Sequence, residues 1–251
     1  MDYQPRVVDE EVGGLMAELA AVSLEGPRGV GKTSTAERLA STVYYLDDPA
    51  QRAIAEADPR QVLAGKPPVL IDEWQRVPAV WDAVRRAVDR GAAPGSFLLT
   101  GSATPSPAPT HPGAGRIVTV RMRPMSIAER RIAGQTVSLS KLLQGEAGDL
   151  SGSTDLVLAD YVEEIVRSGF PAIRSLSGRS LRRQLDGYVT RIIDADFHEQ
   201  GYAVRRPEVL SSWMKAYAAA TSTTASFDTI RDAATGGRGD KPAKTTTQPY
   251  R

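Results

Sequence analysis

Apolar positions in the first half of the chain switch repeatedly between a helical period and short unbroken runs. Val12, Leu15, Met16 and Leu19 recur at helical spacing, so Val8 to Leu19 is expected as a helix. Ala20 to Glu25 reads as a short buried strand, and a glycine-rich loop follows it. Ser34 to Ser41 then carries Ala36, Leu39 and Ala40 on a second helix. Thr42 to Leu46 is β-branched and aromatic, hence a strand, and Asp47-Asp48-Pro49 ends it. Gln51 to Ala64 has helical character broken at Pro59. Val69 to Ile71 is a buried run leading into Asp72-Glu73. Pro78 opens a helix with Val80, Trp81, Val84, Ala87 and Val88 on one face. Ser96 to Thr100 and Ile117 to Met122 are two more strands, separated by a Pro-, Gly- and Ala-rich loop from Ala103 to Gly115. Strands that are apolar on both faces and alternate with helices predict a parallel sheet covered on both sides, an α/β fold.

The pattern changes after Arg123. Gln135 to Thr154 is polar and Gly/Ser-rich, a connector. Asp155 to Ser168 and Ser180 to Gln200 are strongly helical, the second with Leu181, Leu185, Val189, Ile192 and Ile193 as one stripe. Pro207 to Ala220, with Leu210, Trp213, Met214 and Tyr217, and Ser226 to Ala234 are further helices. Gly236 to Arg251 has no periodicity and is expected to be disordered. The expected organisation is an α/β domain over 1–134, a linker over 135–154, a smaller all-helical region over 155–204, and the start of another C-terminal domain over 205–251.

The loop after the first strand is GPRGVGKT, Gly26 to Thr33, with the spacing G-x-x-x-x-G-K-T. This is a P-loop in its proper setting, a strand before and a helix after. Successive backbone N–H groups form an anion nest, and the positive end of the following helix adds to it. Gly26, Gly29 and Gly31 let the backbone approach a polyphosphate without a clashing Cβ. The Lys32 ammonium reaches the β- and γ-phosphates, and the Thr33 hydroxyl is placed for Mg²⁺. Pro27, Arg28, Val30 and Ser34 complete the expected ATP-binding stretch; Arg28, at a variable position, is expected to face solvent.

A P-loop alone does not select a reaction. About forty residues on, Asp72 at the end of an apolar strand is placed to hold Mg²⁺, and Glu73 to act as general base on water. Leu98-Leu99-Thr100-Gly101-Ser102 ends a third core strand, where Thr100 or Ser102 is placed to sense a γ-phosphate. Arg116 is the best-placed candidate for a finger arginine, with Arg121 and Arg123 as others. No guanine-reading N-K-x-D stretch occurs, so ATP is favoured over GTP.

Composition narrows the picture further. The chain has 251 residues, 41% hydrophobic and 24% charged, with a net charge of +1, so no global basic field points to nucleic acid. It has no cysteine, which excludes disulfides and thiolate metal sites. His111 and His198 lack metal-ligand spacing. No stretch reaches the roughly 18 apolar residues needed to span a bilayer. The opening MDYQPRVVDEE has no apolar signal-peptide core, so a soluble cytoplasmic protein is expected.

Several stretches in order carry a resemblance: GPRGVGKTSTA (26–36), PVLIDEWQRVP (68–78), LLTGSATP (98–105), GRIVTVRMRPMSIAE (115–129), SGFPA (168–172) and LDGYVTRIIDADF (185–197). Together they resemble a prokaryotic family of AAA+-type ATPases that join a P-loop domain to a C-terminal domain of unknown function. The D-E-x-Q-x-x-P turn, T-G-S and R-P-M-S-x-x-E are the specific elements, and the resemblance covers nearly the whole chain. It implies an ATPase core with Lys32, Thr33, Asp72 and Glu73 in the roles above, and Ser102 at the sensing position. The Pro-rich insert at 104–112 departs from the family pattern beside the arginine candidates. The resemblance also implies that the chain stops within its C-terminal domain. Helices 207–220 and 226–234 look like two-thirds of a winged helix-turn-helix whose recognition helix would start near Thr246, or equally like part of a plain helical bundle, so sequence-specific DNA binding is expected only of a longer chain. Three readings follow: an Mg²⁺-dependent ATPase driving a helical module; an ATP-gated regulator or toxin–antitoxin-type nucleic-acid-associated switch with little hydrolysis; and a small-molecule kinase. A protein partner or self-association stays open in each.

Overall fold

The computed structural model describes residues 3–101, 113–134, 136–146, 148, 150–197, 204 and 206–235. Ser102, the loop from 103 to 112, and the tail from 236 to 251 lie outside the described residues. So does the end of the helix expected up to Gln200.

Five strands form one sheet: β1 (Ala21–Glu25), β2 (Thr42–Tyr45), β3 (Val69–Asp72), β4 (Phe97–Gly101) and β5 (Val118–Arg121). Their order is β2-β3-β4-β1-β5, and every neighbouring pair is parallel. Helices α1 (Val7–Glu18), α2 (Lys32–Glu37), α3 (Pro49–Ala57) and α4 (Ala79–Asp89) precede or connect the strands.

The unbroken apolar runs have a direct cause. Val69, Ile71, Phe97 and Leu99 face one side, where Trp74, Val80, Trp81 and Val84 cover them. The alternate residues Leu70, Leu98, Val22 and Leu24 face the other side, against Val8, Val12 and Met16 of α1 and Ala36 of α2. Side chains alternate across a strand, so a sheet covered on both faces must be apolar at every position. Leu24, Leu70 and Leu98 are wholly buried, each worth about 1.5–3 kcal/mol of transfer free energy.

Local chemistry moved some boundaries. α2 begins at Lys32, two residues earlier than the periodicity predicts, because Gly31 caps it in a left-handed conformation, φ 105°. α3 begins at Pro49, where Asp48 caps it by accepting from the Ala50 N–H at 2.8 Å. Asp48 and Pro49 thus start a helix as well as ending a strand. Within the expected linker a short helix, α5 (Leu139–Leu143), is capped by Ser138.

Helices α6 (Leu158–Arg167), α7 (Pro171–Arg174) and α8 (Gly178–Arg191) follow. The fold divides into two compact units, residues 1–181 and 182–251, with the division inside α8. In the second unit, α8 continues into a π-turn at Ile192–Asp196, followed by α9 (Pro207–Ala219) and α10 (Phe227–Ala234). A small core of Ile193, Val204 and Leu210, with Phe197 and Met214 against it, holds this unit. Trp213, Tyr217 and Phe227 add a stack with ring separations of 5.0 and 6.3 Å. Among the described residues no helix is long and apolar enough to cross a membrane.

Candidate functional site

Because every strand is parallel, all five carboxyl ends reach one edge of the sheet. Glu25 stands in register with Gly101 and Arg121, and Asp72 with Tyr45 and Thr100. The glycine-rich loop leaves β1, between β4 and β5, at this edge. Gly26 donates its N–H to the Gly101 carbonyl at 3.3 Å. A Cβ at Gly26 would run into the Met122 carbonyl oxygen, so only glycine fits between β1 and the end of β5.

Lys32 is buried, 5% exposed. Its ammonium donates to the carbonyls of Gly26 and Pro27 at 2.9 and 3.1 Å, folding back over the loop. Burial lowers its pKa, opposed by the carboxylates of Glu73 and Asp72. Asp72, also 5% exposed, is the focus of the site. Its Oδ1 accepts from the Thr33 hydroxyl at 2.8 Å and from the Thr100 hydroxyl. Burial raises its pKa, and the two hydroxyls work against that rise. The arrangement puts a cation, a carboxylate and two hydroxyls beside the glycine-rich loop.

Glu73 follows in the left-handed region, φ 54° and ψ 42°, an uncommon conformation for a non-glycine residue that is seen at functional turns. Its carboxylate accepts from the Gln75 side-chain amide at 2.5 Å. Sequence reasoning noted Gln75 only as part of a turn; the contact gives it a partner at the acidic strand end.

Of the predicted site residues, Gly26, Gly31, Lys32, Thr33, Asp72 and Glu73 come together. Pro27, Gly29 and Ser34 lie exposed along the same loop, and Val30 is buried beneath it. Arg28 is half-buried and its charge acts on Lys32, so it does more than face solvent. Thr100 commits its hydroxyl to Asp72. Ser102 lies outside the described residues. Arg116 is a correction. It precedes β5, and so stands at the amino edge of the sheet, across the strands from the loop. There it donates to Asp89 of α4 at 2.8 Å and to the Ala114 carbonyl at 3.2 Å. A parallel strand carries its leading residue to the edge opposite its last one, so this arginine does not reach its own chain's loop.

Sequence reasoning missed several residues around the loop. A cavity of about 850 Å³ opens beside it, lined among others by Tyr3, Arg6, Gly31, Thr33, Arg38 and Arg174. The Arg38 guanidinium sits 4.4 Å from the Tyr3 ring centre. The Tyr3 hydroxyl donates to Asp9 at 2.5 Å and pairs with Thr35 at 2.8 Å. Burial, then the Asp9 contact, push its pKa to about 12. Arg174 is held by Glu164 of α6, at 2.6 and 3.2 Å, and Glu164 also accepts from Arg130 at 3.1 Å. None of these has a local motif; the available signals were the R-P-M-S-x-x-E stretch, which ends one residue before Arg130, and SGFPA (168–172), which ends two residues before Arg174.

Two mycobacterial proteins, Uncharacterized protein Rv2008c of Mycobacterium tuberculosis and Uncharacterized protein Mb2031c of Mycobacterium bovis, are similar to this chain. Each is 26% identical over 200 residues, covering 76% of this chain and 39% of its own length. This chain therefore spans less than half the length of these curated relatives. Among solved structures, AMPPCP-bound DnaA from Aquifex aeolicus aligns at 14% identity with a TM-score of 0.38, covering 100% of this chain and 88% of that one. The family described as AAA domain matches residues 19–130, from just before β1 to just past β5. Residues 19–130 thus match an AAA domain over less than half of the chain, and the matched stretch carries the five-stranded parallel sheet with the glycine-rich loop following β1, between β4 and β5.

Proposed function

We propose that the chain binds ATP with Mg²⁺ at the Gly26–Thr33 loop and hydrolyses it to ADP and phosphate, coupling turnover to its helical C-terminal part. The observation that carries this reading is the meeting of the Thr33 and Thr100 hydroxyls on one Asp72 oxygen beside a buried Lys32. On nucleotide binding, Lys32 exchanges the Gly26 and Pro27 carbonyls for phosphate oxygens, which regain for its ammonium the anionic surroundings that burial denies it. Thr33 and Asp72 offer hard oxygen donors, and no cluster of three or more His, Asp or Glu side chains able to hold a metal occurs among the described residues. That set fits Mg²⁺, which binds through one or two protein oxygens together with phosphate and water. Bound there, Mg²⁺ would neutralise charge on the β- and γ-phosphate oxygens. Thr100 holds Asp72 in place, and Glu73 takes a proton from the attacking water. Tyr3, Arg38 and Arg174 line the adjoining cavity, which has the volume for a base and ribose.

The test is phosphate release from ATP and Mg²⁺, by wild type and by Glu73→Gln. We expect Glu73→Gln to bind ATP normally and to lose turnover by about a hundredfold or more. Unchanged turnover would remove Glu73 from the mechanism.

One observation favours a second reading, an ATP-gated switch with little hydrolysis. The Lys32 ammonium and the Glu73 carboxylate each hold an internal partner, Gly26 and Pro27 for one and Gln75 for the other. Both must be released before chemistry. Turnover that stays negligible at saturating ATP, with and without added DNA, RNA or protein, would favour the switch.

A further inference from the structure

A single buried arginine, unused in the chemistry above, ties the phosphate loop to the rest of the domain. Arg6 is 6% exposed and stands just before α1, where its own N–H is fixed by Asp9 at 2.9 Å. Its guanidinium donates in three directions: to the Val30 carbonyl at 2.8 Å, to the Arg123 carbonyl at 2.7 Å, and to Glu129 at 3.0 Å. Glu129 is itself held, by the Val7 N–H at 2.8 Å, the Ser126 N–H at 2.7 Å and the Ser126 hydroxyl at 3.0 Å. The ion pair is buried on both sides, with side chains 3% and 8% exposed. Such a pair is a poor source of net stability, because desolvation offsets most of the attraction, but it fixes geometry.

What it fixes is one peptide. The Val30–Gly31 unit is planar and trans, so its carbonyl and its N–H point in opposite directions. Anchoring the Val30 oxygen therefore sets the direction of the Gly31 N–H, one of the backbone donors the loop offers to phosphate. Gly31 has φ 105° and intrinsically wide backbone freedom, so this peptide would otherwise rotate readily. A guanidinium is suited to the task because its planar fork serves three acceptors at once; a lysine ammonium reaches them poorly.

We infer that Arg6, oriented by Glu129, is a positioning residue for nucleotide binding, holding the Val30–Gly31 peptide so that its N–H faces the phosphates. The inference rests on the reading of Gly26–Thr33 as the nucleotide seat. It also gives the R-P-M-S-x-x-E stretch a purpose: Arg123 supplies a carbonyl to Arg6, and Glu129 its counter-ion.

The experiment measures ATP affinity by calorimetry on the full chain, for wild type, Lys32→Ala, Arg6→Lys, Arg6→Ala and Glu129→Gln. Nucleotide-free melting temperature and amide exchange of the loop are measured alongside. We expect Arg6→Lys and Glu129→Gln to weaken ATP binding about tenfold or more, the scale of a lost charge-assisted hydrogen bond. Arg6→Ala should lose more and regain part of it in millimolar guanidinium. Exchange should quicken at residues 30–33 while β3 stays protected. Wild-type affinity in Arg6→Lys and Glu129→Gln would overturn the inference while leaving the nucleotide seat intact. Affinity loss that guanidinium does not relieve, with exchange quickened throughout the domain, would overturn it too, making the pair a general structural brace. If wild type binds ATP no better than Lys32→Ala, the nucleotide seat itself fails and the inference falls with it.

Discussion

The two edges of the sheet carry similar side chains and treat them in opposite ways. At the amino edge, Asp89 accepts from Arg85 and Arg116, each at 2.8 Å, and all three side chains keep contact with water. At the carboxyl edge, Lys32, Asp72 and Thr100 are each at most 5% exposed and converge on a glycine-rich loop. Solvated ion pairs at the first edge are worth little, because water screens them. Buried groups at the second edge must each find a partner, because desolvation without one is costly. Charge therefore does not mark a site here. What marks it is charge kept from water beside backbone donors, and the chain direction of a parallel sheet decides which edge receives it.

Removing a charge at each edge is the direct way to test this contrast. The largest effect is expected from Lys32→Ala, which takes away the buried ammonium that folds over the loop. ATP affinity should fall by about a hundredfold or more in a calorimetric titration, with the fold retained by circular dichroism. Retention of near-wild-type affinity would mean that the loop's backbone alone carries the phosphates.

Glu164→Gln probes the buried cluster that holds Arg174 at the adjoining cavity. The Arg174 contact holds the Glu164 carboxyl below the usual glutamate range, against burial, and Arg130 adds to it. A depressed folded pKa means a stabilising contribution that is complete above the unfolded value of about 4.3 and lost as pH falls through the folded value. At pH 7 the variant should melt lower than wild type, by about 1–3 kcal/mol in equivalent stability. The gap should close as pH falls below the unfolded value and through the folded one. A gap that persists into stronger acid would show that the Glu164 charge contributes nothing.

Thr100→Val keeps the shape of the buried side chain and deletes the hydroxyl that donates to Asp72. A loss of about 1–2 kcal/mol in urea unfolding is expected, with Mg²⁺-dependent turnover lowered about tenfold. Turnover unchanged in the face of lost stability would limit Thr100 to a structural part. Arg116→Ala should give the smallest effect, within about 0.5 kcal/mol and with basal turnover unchanged. A large drop in turnover, appearing only at high protein concentration, would instead show this arginine serving a neighbouring copy.

Much of this was legible in the sequence because it is local. The loop spacing, the apolar runs and the acidic end of β3 each lie within a few residues, and backbone geometry alone turns them into strand, loop and helix. Helix starts were read less well. Gly31 and Asp48 moved two of them, because a cap is set by a φ angle or one side-chain contact that periodicity does not register. The partners of the site were harder still. Arg6 and Glu129 are 123 positions apart and meet in one ion pair. Arg174 reaches the loop's cavity from α7. Gln75 was visible as a turn residue, but its bond to Glu73 depends on a left-handed backbone at Glu73.

The sequence by itself determined that this chain carries a glycine-rich loop of P-loop spacing on a parallel sheet, with an acidic strand end beside it. Short-range spacing and the period of apolar residues are enough for that, since both follow from bond geometry and from the need to bury both faces of the sheet. The tertiary structure decided which distant residues complete the loop. It placed Arg6, paired with Glu129, against Val30, joined Thr100 to Asp72, and carried Arg116 to the far edge. Those assignments depend on strand order and direction, which follow from packing the whole domain and leave no trace in any short stretch of chain.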